Sequence, residues 1–467
     1  MRKNGIILLL VLIVIGVVLI LVLNQKPVNV PNPPQPAPLS TEIPSQTAAA
    51  PTATDIPVTV TAPTEMVEAT QLPLPPADEA AKRLIVPDGF AIRIFADNIP
   101  GTPRFMTVGE DGQVYVSLYA SGEIARLPDR DDDGLADGIE IVAGGLNRPH
   151  GLEWHDGWLY VAESGRVTRM RDEDGDGLLE TWELVTDNIP GDGGHISRTL
   201  HFGPDGLLYV SAGSSCNVCA ETDPQRAAIL RFNPDGSIPT DNPFANDTDE
   251  QKRPLWAWGL RNSVDFLWTP SGALWADHNG RDNLLDAQGS SDTLPPEEII
   301  IAVQGGMSHG WPYCYTAVSG VNQPLQPEVL DEQSGLALPE GFECSIDNVV
   351  PALFTDLAHS APLGMTLGNE SLAFPVEYQN SLYVAYHGSW NTSQGGIRDC
   401  KVERVMLQGE MPIGSEDFVS GWRAEGQTCG SAETWGRPAD VIIGADGAMY
   451  ISDDKGGRVY RVVYTGK

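Results

Sequence analysis

From Leu84 onward the chain alternates apolar and polar residues in short runs, broken by Gly, Pro, Asn-Gly and Asp-Gly, and no stretch keeps the periodicity of a long helix. The pattern predicts an all-β domain. One signature recurs along it, a turn residue followed by apolar residues with an aromatic at the third place. It reads Gly112-Gln113-Val114-Tyr115-Val116, Gly157-Trp158-Leu159-Tyr160-Val161, Gly206-Leu207-Leu208-Tyr209-Val210, Gly272-Ala273-Leu274-Trp275-Ala276, Asn380-Ser381-Leu382-Tyr383-Val384 and Gly447-Ala448-Met449-Tyr450-Ile451. Each copy fits the turn between the first and second strands of a four-stranded sheet, and radial packing of six such sheets buries both faces of each. The expected fold is a six-bladed β-propeller over residues 85–467. Two stacked β-sandwiches fit the spacing less well, since the first copies are 45 and 49 residues apart, about one blade each. The 108 residues from Gly272 to Asn380 imply an insertion, placed at about 283–359. Phe90–Phe95 is a spare strand expected to close the ring against the last blade.

Two segments precede this domain. Ile6 to Leu23 is an unbroken apolar run behind Arg2 and Lys3, long enough to cross a bilayer as a helix. The competing reading, a cleaved signal peptide, lacks a small-x-small cleavage site in Asn24-Gln25-Lys26-Pro27. Residues 1–24 are therefore expected to be a transmembrane signal anchor, with the basic end in the cytoplasm and the rest outside, at the cell surface or in the periplasm. Residues 25–84, rich in Pro, Thr and Ala, have too little to bury and are expected to be a disordered linker. Extended at about 3.1 Å per residue, this linker reaches on the order of 100 Å or more.

Charge narrows the partners. With 29 Lys+Arg against 63 Asp+Glu the net charge is −34, which disfavours nucleic acid and anionic lipid surfaces and favours divalent cations. Six cysteines outside the cytosol point to disulfides, and sequence neighbours suggest Cys216–Cys219, Cys314–Cys344 and Cys400–Cys429, although spacing does not fix connectivity. Cys216-Asn217-Val218-Cys219 also fits a redox pair or half a zinc site, but no second half follows, and Ala220 excludes a c-type haem attachment.

Residues entering the innermost strands of a propeller gather at one mouth of its tunnel. His195 and Arg261 lie 11 residues before their turn glycines and Arg437 lies 10 before its own; Arg104, His150 and Arg198 lie 7 or 8 before theirs. Several cations around one mouth of so acidic a protein imply an anionic ligand such as a polycarboxylate. Away from the mouth, Asp129, Asp131 and Asp133 with Glu140, and Asp172, Asp174 and Asp176 with Glu183, both match D-x-D-x-D-G-x₅-E, in which alternating carboxylates and a Gly turn wrap one calcium. The two loops are 43 residues apart, which places them in the outer hairpins of successive blades.

Several segments resemble the quinoprotein glucose/sorbosone dehydrogenases: Gly193-Gly194-His195 with Leu200 and Gly203-Pro204-Asp205-Gly206, Gly259-Leu260-Arg261-Asn262, His387-Gly388-Ser389-Trp390-Asn391, and Gly436-Arg437-Pro438-Ala439-Asp440-Val441. Ser214-Ser215-Cys216-Asn217-Val218-Cys219 and Gly310-Trp311-Pro312-Tyr313-Cys314 look most like the sorbosone-dehydrogenase-like branch. The resemblance implies a propeller that holds pyrroloquinoline quinone (PQQ) with Ca2+ and oxidises a sugar, passing electrons to an external acceptor, a quinone or a cytochrome. It implies His195 as general base, Arg261 and Arg437 as cofactor-binding residues, Asn262, His387 and Arg104 as further members of that pocket, and main-chain oxygens of Gly280 and Arg281 as calcium ligands. This sequence departs from the soluble glucose enzymes at Ser197-Arg198-Thr199-Leu200, at Ser214 where an acid is expected and at Ala439 where an arginine is expected, and Lys401 is no secure counterpart of the cofactor lysine. Glucose specificity is therefore not implied. Two alternatives compete: a calcium-dependent propeller lactonase or esterase using Asp192, Asp277 and Asn262, and a non-enzymatic binding propeller on a stalk.

Overall fold

The computed structural model describes residues 71–319, 325–389, 392–393 and 396–466. Among them are six four-stranded antiparallel sheets, the blades of a β-propeller. The first blade holds β2 (Pro103–Val108), β3 (Val114–Leu118), β4 (Glu123–Leu127) and β5 (Glu140–Gly144), and the second β6 (Leu152–His155), β7 (Trp158–Glu163), β8 (Arg166–Arg171) and β9 (Thr181–Thr186). The third holds β10 (Leu200–Phe202), β11 (Leu208–Ala212), β12 (Ala228–Phe232) and β13 (Leu255–Trp258), and the fourth β14 (Phe266–Trp268), β15 (Leu274–His278), β16 (Glu297–Ala302) and β19 (Phe354–Asp356). The fifth runs β20 (Pro362–Leu367), β21 (Ser381–Tyr386), β22 (Lys401–Gln408) and β23 (Met411–Val419). In the sixth, β24 (Pro438–Ile443), β25 (Met449–Asp453) and β26 (Arg458–Tyr464) are completed by β1 (Phe90–Ala96), which pairs from Phe90 opposite Tyr464 to Ala96 opposite Val459. The spare strand closes the ring as its position in the sequence predicted.

All six signature aromatics lie in second strands and are buried. Three share one polar device: the Tyr115, Tyr209 and Tyr450 hydroxyls donate to Asp111, Asp205 and Asp446, four residues earlier. Each of these aspartates is also paired with an arginine, Arg126, Arg231 or Arg461, that stands opposite the tyrosine in the third strand. The ring fills the apolar space between blades while its hydroxyl and the turn satisfy one another, which explains why turn and aromatic recur together. Five turn glycines, Gly112 among them at φ 76°, occupy the left-handed region that a side chain resists. The Asn380 copy is different: β20 and β21 are joined through Gly368–Glu370 and a short helix, α2 (Val376–Gln379), so Asn380 needs no such conformation and has φ −80°.

Six apolar clusters, each drawn from two successive blades, make the core. A seventh, formed by Phe105, Val264, Leu363 and Ala439, comes from the innermost strands and the segments entering them. Ala439, where the resemblance expects an arginine, is fully buried in it.

Residues 283–359 are not a single excursion. They include β16 and β19, two strands of the fourth blade, so the additions to that blade are the connections 279–296 and 303–353. The second carries a two-stranded ribbon, β17 (Cys314–Tyr315) with β18 (Val329–Leu330), and is tied by Cys314–Cys344. The other disulfides are Cys216–Cys219 and Cys400–Cys429, the pairings suggested by sequence neighbours.

Folded structure also begins ahead of residue 85. Pro73 and Pro75 carbonyls accept hydrogen bonds from Arg461 and Arg93, and Asp78 caps α1 (Glu79–Arg83) while accepting from the Ile94 amide. These contacts assign the last residues of the expected linker to the domain. The expected anchor and residues 25–70 of the linker lie outside the described residues; among the described ones, no helix is long and apolar enough to cross a membrane.

Candidate active site

His195, Arg261, Asn262, Gly280, His387 and Arg437 line one cavity of about 290 Å³, so six of the residues singled out from sequence meet in space. Asn279, Asp282, Glu297 and His359 join them, and Leu363 of the central apolar cluster forms part of the wall. A larger groove, about 480 Å³, lies beside Trp258, Trp311 and Phe342, but contains none of the predicted site residues.

His195 is held in a defined protonation state. Its Nδ1 is 2.9 Å from Ser214 Oγ and 3.2 Å from the Ser214 carbonyl oxygen. Since the Ser214 hydroxyl donates to the Cys216 carbonyl at 2.7 Å, both oxygens facing Nδ1 are acceptors. Nδ1 therefore carries the proton and Nε2 the lone pair. Burial, and then the charge of Arg261, lower the His195 pKa to about 4, so the ring is neutral at neutral pH. Ser214 thus orients the His195 ring as a neutral partner at the position where the resemblance leads one to expect an acid. Gly213 makes room: a Cβ there would meet His195 Cβ at 2.5 Å.

Arg261 is buried, 5% exposed, and its guanidinium is shared among oxygens of the chain. Nε and Nη2 donate to the main-chain and side-chain oxygens of Asn217, both at 2.9 Å, and Nη1 donates to the Gly280 carbonyl at 2.9 Å. Asp282 lies 3.3 Å from Nη2. The Gly280 carbonyl expected to bind calcium thus faces a guanidinium, and the Arg281 side chain forms a buried pair with Asp331 at 2.7 Å. In this arrangement the Gly280 carbonyl does not fit a calcium site, because the cation beside it is Arg261.

Arg437 differs. Its Nε and Nη2 donate to the His387 and Gly388 carbonyls, and among the described residues its guanidinium forms no ion pair within 4 Å; Asp454 and Asp453 act on it at longer range, and its main-chain amide donates to Asp453 at 2.8 Å. Burial lowers its pKa to about 10, which leaves it charged. A half-buried arginine held by neutral oxygens beside a cavity fits an anionic ligand such as a carboxylate of PQQ. His387 Nε2 lies 2.9 Å from Asp454, which also pairs with Arg104 at 2.8 Å. The carboxylate alone would raise the His387 pKa, but burial dominates and lowers it to about 4, so a neutral ring donates Nε2–H to an ionised Asp454. Arg104, expected in the cofactor pocket, is not among the residues lining the cavity and instead balances Asp454. Glu297 accepts from the Gly280 and Ala361 amides, and burial raises its pKa to about 7.

The other cations expected at the mouth are structural. His150 is fully buried against Phe105 with ring centroids 4.1 Å apart. Arg198 is also fully buried and donates to the Pro190, His195 and Ser197 carbonyls, which fixes the loop carrying His195.

Asp454, Asn279 and His387 share a signal that the sequence reading did not use: each is the fourth residue after a signature aromatic, Tyr450, Trp275 or Tyr383. Second strands end at the same mouth that first strands enter. Asp282, Glu297 and His359 come from the long connections of the fourth blade or their flanks and have no fixed offset from any turn.

In the outer hairpins, ligand oxygens of Asp129, Asp131 and Asp133 lie within 4.8 Å of one another, as do those of Asp172, Asp174, Asp176 and Glu180. The twelfth-position glutamates stand apart from these groups. Glu140 pairs with Arg130 and Arg126, Glu183 pairs with Arg169, and Glu180 takes the place expected of Glu183.

The sequence model of TrAA12-like proteins matches residues 84–465. The chain belongs to the TrAA12-like family. An uncharacterized protein of Borreliella burgdorferi is 26% identical over 404 residues, 83% of this chain and 93% of that protein. The aldose sugar dehydrogenase YliI of Escherichia coli is 23% identical over 274 residues, 58% of this chain and 60% of that protein. Among solved structures, the holo form of the pyranose dehydrogenase PQQ domain of Coprinopsis cinerea superposes with a TM-score of 0.64 at 20% identity, covering 85% of this chain and all of that one. Named enzymes among these relatives and neighbours are aldose, pyranose and glucose dehydrogenases, which supports the wider dehydrogenase family and not its sorbosone branch.

Proposed function

We propose that this protein is a PQQ-dependent oxidoreductase that oxidises a sugar, with His195 as general base and Arg261 and Arg437 as anion-binding residues. The observation that carries this reading is a neutral histidine, with its lone pair at Nε2, in the same cavity as an arginine whose guanidinium bonds only main-chain carbonyls. Bound PQQ would supply the hydride acceptor. The chain's own part is to accept the hydroxyl proton at His195 Nε2, to orient that ring through Ser214, and to hold carboxylates of the cofactor with Arg437 and Arg261. Leu363 and the apolar cluster behind it limit water at the cavity wall. The test is sugar-dependent dye reduction by the protein loaded with PQQ, across a panel of aldoses: turnover that requires both supports the reading, and none with any sugar opposes it. The hydrolase alternative is disfavoured because Asp192 is 89% exposed and paired with Arg226, while Asp277, fully buried, accepts from the Val264 and Asp265 amides.

Calcium is proposed for the two outer loops, in a structural role supported by their convergent carboxylates. Calcium at about 100 times Kd should stabilise the fold by about 2.7 kcal/mol per site, so chelation should lower the Tm and Asp131→Ala or Asp174→Ala should reduce that response. Titration calorimetry without a binding event would leave two acidic turns.

Residues 1–24 are proposed as a membrane anchor from their apolar run, and an extracytoplasmic domain agrees with three disulfides. The full chain should sediment with membranes after an alkaline wash and deletion of residues 1–24 should release it; a full chain released by the wash opposes the anchor.

A further inference from the structure

Every hydrogen-bonding atom of the Asn217 side chain, and its carbonyl, is engaged around the cavity. The carbonyl accepts from Arg261 Nε at 2.9 Å and from Trp311 Nε1 at 3.2 Å. Oδ1 accepts from Arg261 Nη2 at 2.9 Å and from the Asp282 amide at 2.8 Å, and Nδ2 donates to the Asp282 carbonyl at 2.9 Å. One residue therefore grips one edge of the Arg261 guanidinium with two acceptors, fixes the backbone of Asp282 and meets a tryptophan of the 303–353 connection. It sits in a four-residue loop closed by Cys216–Cys219, and the Cys216 carbonyl in that loop also accepts the Ser214 hydroxyl that orients His195.

We propose that the Cys216–Cys219 loop is a clamp that presents Arg261 to the cavity, with Asn217 as its positioning residue; this rests on the role given to Arg261 above. A free arginine side chain carries about 2 kcal/mol of rotamer entropy, and gripping it before the ligand arrives removes that cost from binding. Asparagine suits the position because its Oδ1 accepts without adding charge. An aspartate would set a second carboxylate against Arg261 beside Asp282, making the site net negative, and with no Nδ2–H it would leave the Asp282 carbonyl without that donor. The disulfide matters because it restrains the loop that aims both Asn217 oxygens at one guanidinium. Both cysteines of this bridge are partly exposed, whereas Cys400 and Cys429 are fully buried, so a dithiol reaches this bridge more readily.

The experiment measures PQQ affinity by fluorescence titration, with turnover at saturating PQQ beside it, for the full chain and for Asn217→Ala, Asn217→Asp and the double variant Cys216→Ser/Cys219→Ser. Thermal melts accompany each protein. Asn217→Ala and the double variant should each weaken PQQ binding at least tenfold. Turnover at saturating PQQ should change much less, since a clamp for the arginine acts on affinity. Asn217→Asp, nearly isosteric, should keep the melting temperature close to wild type and still weaken binding by the added negative charge. Variants that bind PQQ as tightly as wild type while Arg261→Ala does not would overturn the clamp and leave the role of Arg261 standing. A wild-type chain that takes up no PQQ would overturn both.

Discussion

His195→Ala should lower kcat by about 10²–10⁴-fold, the usual worth of a positioned general base, while PQQ affinity stays close to that of wild type. The expectation rests on where the ring is bonded: its polar contacts are to Ser214 through Nδ1, and Nε2 has no partner among the described residues. A base works only when unprotonated, and burial and Arg261 put its pKa at about 4 rather than 6.5. The pH profile of kcat/KM should therefore be level down to about pH 5 and fall about tenfold per unit below pH 4. A midpoint near 6.5 that vanishes in His195→Ala would show an exposed base and contradict this geometry. Stability has the same sign. The unfolded chain protonates these rings near 6.5, whereas folded His195, His309 and His387 resist until about 4, so their contribution is present above 6.5 and is lost as pH falls from 6.5 towards 4.

Arg437→Ala should have the largest effect on cofactor affinity. A charge-assisted hydrogen bond is worth about 1.5–3 kcal/mol, which converts to roughly 10–150-fold in Kd. Because the guanidinium bonds only neutral main-chain oxygens, and buried Asp454, which it stabilises at longer range, keeps its ion pair with Arg104, the loss should appear in binding more than in the Tm. Fluorescence titration of PQQ measures this directly. Arg437→Lys should recover part of the affinity through its charge but not the fixed two-pronged geometry. Unchanged PQQ affinity in Arg437→Ala would remove this residue from the cofactor site.

The propeller was legible because its repeat is local: a left-handed turn glycine, and an aromatic whose hydroxyl can return to the turn, lie within a few residues of each other. The same repeat carried the site, since His195, Arg261 and Arg437 keep a nearly constant distance to their turn glycines and that distance fixes the mouth they reach. The rule failed for Arg198 and His150, because position alone does not say whether a side chain enters the cavity or turns back to hold its own loop. Asp282, Glu297 and His359 were not legible. They reach the cavity through the connections of the fourth blade, where contacts such as Arg281 with Asp331 are set by tertiary packing and not by periodicity. Glu140 and Glu183 illustrate the same limit in the outer loops, where the motif matched in sequence but arginines in the adjoining strand or loop captured the last ligand.

The central claim is that this cavity is built to hold an anionic quinone in front of a neutral histidine. Titration of the full chain with PQQ, followed by fluorescence, tests it most directly. Saturable uptake of one PQQ per chain, weakened by Arg437→Ala and retained in His195→Ala, is the predicted result; a wild-type chain that takes up no PQQ would contradict it.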